Sequence, residues 1–396
     1  MISTERCDLK VVEMRVLHVH SGNLYGGVET LMLTLAERRQ FVSSLDSEFA
    51  LCFKGQLAKA LKALGAPLYH LGNVRTRNPL SVLRARRRLS NLLTSRSYDA
   101  VICHMPWAQA IFGPVVRRHK IGLVFWMHGT ASGDHWVERW AAMTDPDFAI
   151  CNSKFTRSTL RYLYPHVSSE VVHYPVDVAA SHRSISERTS VRAELGTNQE
   201  AIVIVQASRM EPWKGQMLHL EALGRLRDMH DWVCWQVGGP QRSDEKIYFE
   251  KLKQKSYELG IADRVKFLGQ QSDVMRIFRA ADVYCQPNAS PEPFGIVFIE
   301  ALSAGLIVVS AAIGGPLEII DESCGILVPP GDAEALANAL DYLVRNPVER
   351  YKLASAGPPR ATRLCDPREQ IRKLSKVLHH SVLKLGRLND DSDDER

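Results

Sequence analysis

The segment Ala201-Ile-Val-Ile-Val-Gln-Ala-Ser-Arg-Met-Glu-Pro-Trp-Lys-Gly215 joins an apolar run to a loop that carries two cations. The run has apolar side chains on both faces, which is typical of a strand in a parallel sheet covered on both sides. Similar strand candidates, separated by helical stretches, predict an α/β fold. They are residues 15–20, 100–103, 122–127, 148–151, 232–237, 265–268, 283–285 and 306–310.

The strand candidates fall into two series, one before about residue 175 and one after about residue 200. We therefore expect two doubly wound domains, with a ligand held between them at the carboxyl ends of the strands. Residues 178–198 contain no apolar run and are expected to form a linker and the lead-in to the second domain. The predicted divisions are a first domain at 1–177, a second at 178–364, a C-terminal helix at 365–388 and a disordered acidic tail at 389–396.

The composition is that of a soluble globular protein, with 396 residues, 45% hydrophobic and 24% charged. No apolar run reaches the ~18 residues that span a bilayer, so we expect neither secretion nor membrane insertion. The eight cysteines are scattered, without the paired spacing of metal sites, and they fit buried thiols in a reducing cytoplasm.

Seven arginines and no acidic residue lie between Arg75 and Arg96. A solvated helix face is one interpretation of this cluster. The other is a surface attracted to anionic lipid at the inner face of the membrane, or to phosphorylated acceptors. Binding to nucleic acid is not expected, because the cluster lacks interleaved aromatic residues and no recognition motif is present.

Two glutamates eight residues apart lie in Ser290-Pro-Glu-Pro-Phe-Gly-Ile-Val-Phe-Ile-Glu-Ala301. Glu292 is held in a loop between prolines, and Glu300 lies inside the helix that follows. Two solvated carboxylates are the alternative, but the apolar surroundings favour paired or ligand-bound groups. Phe294 and Gly295 lie at the expected helix N-terminus, where backbone N–H groups favour phosphate.

Arg209 and Lys214 lie five residues apart on the loop after strand 201–206. An arginine fork and a lysine point charge could clamp a diphosphate. Solvated loop cations are the alternative interpretation.

Two weaker motifs lie in the first half of the chain. Gly26 and Gly27 follow strand 15–20, where glycines allow a backbone to approach a phosphate, although a simple strand-to-helix turn is the alternative. His128 follows strand 122–127 and could contact a sugar or transfer a proton, unless it is a hydrogen-bonded core histidine. The Asp-x-Asp spacings at 145–147 and 391–393 are not credible metal sites.

In combination, these motifs resemble the retaining glycosyltransferases of family 4. The resemblance rests on Arg209 with Lys214-Gly, on Glu292-Pro-Phe-Gly with Glu300-Ala, and on Gly314-Gly-Pro-Leu-Glu318, with weaker support from Gly26-Gly27 and His128-Gly. It covers residues from about 15 to 385 and implies a GT-B architecture. In that fold an N-terminal acceptor domain and a C-terminal donor domain face a central cleft, and a final helix returns to the first domain.

The resemblance also implies the role of each site residue. Arg209 and Lys214 would bind the donor diphosphate, Glu300 the ribose and Glu292 the transferred sugar, while His128 would lie near the anomeric carbon. Further donor contacts would come from Gly26, Gly27, Phe294, Gly295 and Ile296, with the base resting against the loop after Leu268. No metal or other cofactor would be needed, and the nucleoside-diphosphate sugar would be the co-substrate.

The function that follows is retaining transfer of a sugar, with uridine diphosphate as the carrier, to a hydroxyl of a glycan, glycolipid or other polysaccharide precursor. Two alternatives remain at this stage. One is a nucleotide-sugar epimerase of related two-domain fold, and the other is a non-catalytic protein that binds sugar nucleotides. The expected partners are the nucleotide-sugar donor and a glycan or lipid-linked acceptor.

Overall fold

A computed structural model describes residues 14–22, 26–42, 44–177 and 184–393, with side chains as far as Ser381. The chain divides into two compact units. The first takes in the described residues up to Pro175 together with those from Pro367 onward, and the second is Val176–Asp366.

The first unit is built on a seven-stranded parallel sheet with the order β3-β2-β1-β4-β5-β6-β7. Its strands are β1 Met14–His20, β2 Leu45–Leu51, β3 Leu68–His70, β4 Ala100–His104, β5 Gly122–Met127, β6 Phe148–Cys151 and β7 Ser169–Val171. Its helices are α1 Gly27–Glu37, α2 Gln56–Ala63, α3 Pro79–Ser95, α4 Met105–Arg118, α5 Trp136–Ala141, α6 Lys154–Leu160 and α15 Pro367–Asp393, with a short 3₁₀ helix at Arg39–Phe41.

The second unit has a six-stranded parallel sheet with the order β10-β9-β8-β11-β12-β13. Its strands are β8 Ile202–Ala207, β9 Trp232–Val237, β10 Val265–Gly269, β11 Val283–Gln286, β12 Ile307–Ala311 and β13 Gly325–Val328. Its helices are α7 Ile185–Glu194, α8 Gln216–Gly224, α9 Ser243–Glu258, α10 Val274–Ala280, α11 Ile296–Ser303, α12 Pro316–Ile319, α13 Ala333–Arg345 and α14 Pro347–Cys365, with a 3₁₀ helix at Pro212–Lys214.

Both sheets have the doubly wound order in which the chain starts at a central strand and turns back beside it. The reversal lies between β1 and β4 in the first unit and between β8 and β11 in the second. Ligands of such sheets bind outside the carboxyl ends of the strands at this point. The predicted pair of Rossmann-like domains is confirmed. Each sheet has one expected ligand site, at its reversal point.

A helix, α7, occupies part of the segment that the sequence analysis expected to be a linker. Its only buried apolar residue is Val191, while the neighbouring Arg192 is fully buried. The Arg192 guanidinium donates to the carboxylate of Asp282 at 2.7 Å and to the carbonyl of Ala280 at 3.0 Å. Because polar contacts anchor this helix, the apolar pattern did not reveal it.

The C-terminal helix α15 belongs to the first unit and is longer than the sequence predicted. It continues to Asp393, into the segment predicted as a tail, and residues 394–396 lie outside the described residues. The Ser375 hydroxyl is 2.9 Å from that of Ser44, and the Arg368 guanidinium lies 5.2 Å from the Phe41 ring centroid. These contacts join helix α15 to the segment that precedes β2.

Candidate active site

The loops after β8 and β11 bring together most of the residues predicted to bind a donor. Lys214 follows β8 and Glu292 follows β11, and the Lys214 Nζ lies 2.5 Å from the Glu292 Oε2. Both side chains are largely buried, with exposed fractions of 10% and 13%. The sequence separation of 78 residues is bridged because the two strands are neighbours at the reversal of the sheet.

Several groups around Lys214 stabilise or oppose its positive charge. Burial lowers the pKa of the Lys214 ammonium, and the Glu292 carboxylate opposes this shift. The Lys214 Nζ also lies 3.9 Å from the centroid of the Trp213 ring, a cation–π contact. A buried ammonium with one carboxylate partner is well suited to receive additional negative charge.

A chain of buried polar side chains holds Glu292 from the sheet side. The Tyr284 hydroxyl donates to Gln286 at 2.6 Å, the Gln286 amide donates to Asn288 at 2.9 Å, and the Asn288 amide donates to the Glu292 Oε2 at 3.1 Å. Burial, with the charges of Glu292 and Glu300, raises the pKa of Tyr284 well above its usual value. Gln286 and Asn288 were not predicted, although polar residues at the end of a buried strand are a usable signal.

Two glycines allow the loops to approach each other closely. Gly215 has φ +76°, and a Cβ there would lie 1.9 Å from the carbonyl oxygen of Pro287. Gly314 has φ +73°, and a Cβ there would lie 2.6 Å from the Glu292 carbonyl oxygen. A side chain at either position would therefore displace the backbone that carries Lys214 or Glu292.

Helix α11 places the second glutamate of the motif. Gly295 is its N-cap, Ile296 is its first residue, and Phe294 before it is buried. Among the described residues, none hydrogen-bonds to the Glu300 carboxylate or to the N–H groups of Gly295 and Ile296. Burial raises the pKa of Glu300 to about 6. An incompletely solvated carboxylate without a protein donor can accept hydrogen bonds from ligand hydroxyls.

Arg209 and Leu268 lie at the rim of this arrangement. The Arg209 side chain is 54% exposed and its guanidinium lies 3.0 Å from the Glu211 carboxylate. Leu268, in β10, is partly buried, and its carbonyl accepts a hydrogen bond of 2.7 Å from the Gln271 amide. Lys214 and Glu292 are thus in direct contact, whereas Arg209 is held by a different carboxylate.

In the first unit, the predicted glycines stand at the start of α1. Gly26 is the N-cap and Gly27 the first helical residue, while residues 23–25 of this motif lie outside the described residues. The nearby Glu29 is buried and accepts a hydrogen bond from the His20 ring at 2.9 Å. The other ring nitrogen of His20, Nδ1, is buried and has no partner in the part of the chain that the structure describes.

His128 lies in a buried network instead of projecting as a free side chain. Its Nε2 is 2.8 Å from the His104 Nδ1, and its own Nδ1 is 2.8 Å from the Tyr174 hydroxyl. His104 continues the network to His18 at 3.0 Å, and His18 continues it to Ser47 at 3.3 Å. Burial lowers the pKa of His18 to about 3 and holds those of His104 and His128 well below their usual values, with neighbouring imidazoles adding to the effect on these two.

The contacts of Asn152 are compatible with one direction for the protons in this network. Its amide donates to the His128 carbonyl at 3.1 Å and to the Tyr174 oxygen at 3.2 Å. In the arrangement in which the Tyr174 hydroxyl donates to the His128 Nδ1, neutral His128 carries its proton on Nε2 and donates to His104. The same reasoning gives His104 and His18 a proton on Nε2. The chain of donors therefore runs in one direction, from Tyr174 to Ser47.

The histidines of this network other than His128 were missed, although a signal for two nearby ones was present. His20 ends β1, His104 ends β4 and His128 directly follows β5. Carboxyl ends of neighbouring parallel strands meet at one edge of a sheet, so these side chains had to lie close together. No metal-binding group of three or more His, Cys, Asp or Glu is found within the described ranges. Metal independence stays a prediction.

Two family models match the chain. "Glycosyltransferase Family 4" matches residues 25–180 and "Glycosyl transferases group 1" matches residues 187–359. A phosphatidyl-myo-inositol mannosyltransferase of Mycobacterium leprae is 34% identical over 275 residues, which cover 68% of this chain and 70% of that protein. The chain belongs to glycosyltransferase family 4.

A second relative and two solved structures are also similar to the chain. A D-inositol 3-phosphate glycosyltransferase of a Mycobacterium species is 35% identical over 65% of this chain and 62% of its own length. The structure of Anabaena HepE in complex with UDP has a TM-score of 0.83 at 23% identity, covering 93% of this chain and all of that one. The lipopolysaccharide outer core galactosyltransferase WaaB has a TM-score of 0.71 at 20% identity, covering 91% and 98% of the two chains.

These comparisons confirm the family and the GT-B fold class that the motifs predicted. The protein is a glycosyltransferase. No helix in the described part of the chain has the length and apolarity needed to cross a membrane.

Proposed function

We propose that the protein transfers a sugar from a uridine diphosphate sugar to a hydroxyl group, with retention of configuration. The observation that carries the proposal is the cluster at the ends of β8 and β11. There, a buried ammonium, a carboxylate held by two donors and a second carboxylate that accepts no hydrogen bond from the described residues lie on adjoining loops and one helix. The acceptor class is a glycan, glycolipid or other polysaccharide precursor.

Each donor group has a complementary side chain in this cluster. Lys214 and Arg209 bind the diphosphate, with the N–H groups of Phe294, Gly295 and Ile296 as further donors. Glu300 accepts the ribose hydroxyls, and the base rests beside Leu268. Anabaena HepE has been solved in complex with UDP and with UDP-glucose, which supports uridine as the nucleoside.

The electrostatics of the cluster suit departure of the diphosphate. Negative charge builds up on this group as the glycosidic bond breaks, and Lys214, Arg209 and the start of α11 stabilise it. A hydrogen-bond donor lost from such a site typically costs about 10²–10³ in rate. Lys214 is therefore the residue on which turnover depends most.

The hydrogen bonds of Glu292 support same-face attack over a covalent intermediate. Its Oε2 accepts hydrogen bonds from both Lys214 and Asn288, which lowers the nucleophilicity of the carboxylate. Its Oε1 has no hydrogen-bond partner among the described residues and can accept from a sugar hydroxyl. The leaving diphosphate then takes the acceptor proton. A role for His128 at the anomeric carbon requires its Nε2 to exchange His104 for a sugar hydroxyl.

The arginine-rich segment supports a proposal of peripheral membrane contact. Leu80, Leu83, Arg84 and Arg87 follow the i, i+3, i+4, i+7 spacing of one helical face on α3, and all four are exposed. A face that combines leucines with arginines suits an anionic lipid surface. The relative whose name includes phosphatidyl-myo-inositol gives independent support for a lipid-linked acceptor.

Thermal unfolding with uridine, guanosine and adenosine diphosphates tests the donor proposal. A ligand present at about 100 times its dissociation constant stabilises a protein by about 2.7 kcal/mol. We expect uridine diphosphate to raise the midpoint most, and Lys214→Ala to abolish the shift. Lys246→Ala, at an exposed position on α9, is the matched control and should retain it. A protein that responds to none of the three nucleotides contradicts the proposal.

A further inference from the structure

A pocket of about 290 Å³ lies in the first unit, at the carboxyl ends of β4 and β5. Met127 and Gly129, the two neighbours of His128 in the sequence, both line it, so the pocket lies directly beside the buried histidine network. Its volume is just below the range of about 300–1,000 Å³ that holds a complete small molecule. The pocket therefore suits one group of a larger ligand.

The lining is apolar on most sides. Met105, Pro106, Trp107, Met127 and Val137 supply hydrophobic and aromatic surface, and Thr130, His135 and Glu138 supply polar groups. A few polar groups around an apolar interior are typical of a ligand site.

The charge of the lining disfavours an anionic group. No lysine or arginine is among the described residues that line the pocket, and its one charged side chain is Glu138. The Glu138 carboxylate accepts from the N–H groups of Gly133 at 2.8 Å and Ser132 at 3.2 Å, which fixes it in place. A phosphate or carboxylate in this pocket would meet like charge without a compensating cation.

The backbone at the base of the pocket is strained. Met105 has φ +70°, in the left-handed region that side chains other than glycine rarely adopt. Such a conformation costs about 1–3 kcal/mol and persists where the surroundings require it, often at ligand sites. Here it starts α4 directly after His104, and the Met105 Cε would lie 3.7 Å from a Cβ on Gly129.

We propose that this pocket binds the uncharged, apolar group of an acceptor, such as an alkyl chain linked to the sugar that carries the accepting hydroxyl. The identification of this ligand as an acceptor rests on the proposed function. The position beside His128, the apolar lining and the lack of a cation in that lining together favour such a group in the pocket over a phosphorylated or purely polar group.

Binding to the full-length protein without donor tests the proposal. Hexyl β-D-glucoside is compared with the methyl glucoside and with a glucoside whose chain has the same length but contains two ether oxygens. Ligand-observed saturation-transfer NMR and its titration give affinities. We expect the hexyl glucoside to bind at least about tenfold more tightly than the methyl glucoside or the ether-containing glucoside. A difference of this size corresponds to the burial of about two methylene groups.

Two variants test whether the hexyl chain binds in this pocket. Gly129→Ala adds a methyl group that meets Met105 at ordinary contact distance, so the protein should fold while the hexyl preference falls by about tenfold. Trp107→Leu should also reduce it, by removing aromatic surface. Met143→Ala, an 80% exposed methionine outside the pocket, is the control and should leave the preference unchanged.

The outcomes separate this proposal from the transferase function. Equal affinity for the three glucosides, or a hexyl preference that Gly129→Ala and Trp107→Leu leave intact, overturns the pocket assignment even if uridine diphosphate binds. A pocket-dependent hexyl preference in a protein that shows no response to nucleotides supports the binding site and contradicts the proposed transfer.

Discussion

Lys214 and Glu300 are the two side chains whose surroundings in the second unit most clearly call for a ligand. The Lys214 ammonium is largely buried and has a lowered pKa. The Glu300 carboxylate has a raised pKa and no hydrogen-bond donor among the described residues. Both groups remain incompletely stabilised without a ligand, so substitutions at each affect activity and stability in ways that can be measured separately.

Lys214→Ala should lower turnover by about 10²–10³, because the leaving diphosphate loses a buried cation. The release of nucleoside diphosphate at saturating donor measures this rate. Lys246→Ala, at an exposed lysine, serves as the control. Near-normal turnover in a folded Lys214→Ala protein would falsify the role of this residue in binding the diphosphate.

Glu300→Gln should stabilise the ligand-free protein at neutral pH while weakening nucleotide binding. Burial raises the pKa of this carboxyl group from 4.5 to about 6, so the folded protein holds the proton more tightly than the unfolded chain. Its contribution to stability is present below about pH 4.5 and is lost as the pH rises through 6. At pH 7.5 the neutral amide should gain up to about 2 kcal/mol, or several degrees in the midpoint.

Thermal unfolding at pH 7.5 and pH 5, with and without uridine diphosphate, measures both effects. The gain in stability should shrink at pH 5, and the shift induced by the nucleotide should be smaller than in the parent protein. Glu322→Gln, at an exposed position in the same unit, should change neither quantity. A variant that is less stable at pH 7.5 and binds the nucleotide normally contradicts this assignment.

At the scale of elements, the loops after β8 and β11 depend on a glycine at their closest approach. Gly215 has φ +76° and Gly331 has φ +77°, but a Cβ would collide with Pro287 at the first and meet nothing within 4 Å at the second. The two positions share the same backbone requirement and differ only in their neighbours. They form a matched pair for testing how tightly these loops are held.

Gly331→Ala should lose about 1–2 kcal/mol of stability, the cost of a side chain in the left-handed region. Gly215→Ala should lose more, because the β11 loop must move as well, and it should reduce nucleotide binding by displacing Lys214. Chemical denaturation and the nucleotide-induced thermal shift measure the two effects. Equal losses in both variants would show that the close contact with Pro287 is not needed.

Helix α3 carries its exposed charge on a narrower face than the arginine count suggests. The Arg86 side chain donates to the Ile111 carbonyl at 2.7 Å and Arg88 donates to the Leu71 carbonyl at 3.2 Å, so both help to hold the fold. Arg84 and Arg87 are exposed beside Leu80 and Leu83. Reversing Arg86 and Arg88 would disturb the fold, whereas Arg84 and Arg87 test the surface.

Arg84→Glu with Arg87→Glu should weaken binding to vesicles containing phosphatidylserine by at least about thirtyfold, since each basic group contributes about 1 kcal/mol. Sedimentation with vesicles measures the bound fraction. Reversal of Arg225 and Arg227, two exposed arginines of the second unit, changes the net charge equally and should leave binding intact. If both pairs have the same effect, or if the parent protein does not sediment, membrane contact through α3 is excluded.

Sequence patterns predicted the strands beside the reversal points and missed β2 and three of the four edge strands, β3, β7 and β13. The strands next to the reversal points are apolar on both faces and were predicted. Strand β2, Leu45–Leu51, was missed because Glu48 interrupts its pattern. That carboxylate is buried, and it is compensated by the guanidinium of Arg15 and by the Tyr98 hydroxyl at 2.6 Å. Partners so distant in sequence do not show in a local pattern.

The candidate site shows the same limit. The predicted residues of the second unit lie together, but the direct pairing of Lys214 with Glu292 depends on the order of the strands. The histidine network depends on the ends of β4 and β5 lying beside His18 inside β1, and on Tyr174 beyond β7. Composition and spacing identified the residue types, while their hydrogen bonds required the sheet.

Across the whole molecule, the two units differ in how their buried histidines respond to acid. His18, His104 and His128 are neutral and buried in the first unit, with pKa values lowered by burial. In the second unit, His219 is the one described histidine whose pKa is clearly lowered by burial, to about 3. The unfolded chain takes up protons at these positions below about pH 6.5, and the folded chain does not.

The first unit should therefore lose stability more steeply than the second as the pH falls from 6.5 to 5. The contribution of each histidine to the free energy of unfolding is present above pH 6.5. Below that pH it falls by about 1.4 kcal/mol per pH unit, so the three histidines together lose about 4 kcal/mol per pH unit. Hydrogen exchange of the β1, β4 and β8 amides, corrected for intrinsic rates, compares the units. His104→Gln should make the stability of the first unit less sensitive to pH. His166→Gln, at an exposed histidine, should leave this pH dependence unchanged. Equal slopes in the two units contradict this account.

The ion pair between Lys214 and Glu292 has a consequence for selectivity. The carboxylate acts as an internal counter-ion that occupies the cation while no substrate is present. A simple anion such as chloride or inorganic phosphate must compete with the Glu292 carboxylate for the Lys214 ammonium. It offers no hydrogen-bond donor to the displaced carboxylate. A donor that brings both a diphosphate for the lysine and sugar hydroxyls for the glutamate satisfies both groups at once. Under the proposed function, the ion pair therefore favours a complete sugar nucleotide over a simple anion such as inorganic phosphate.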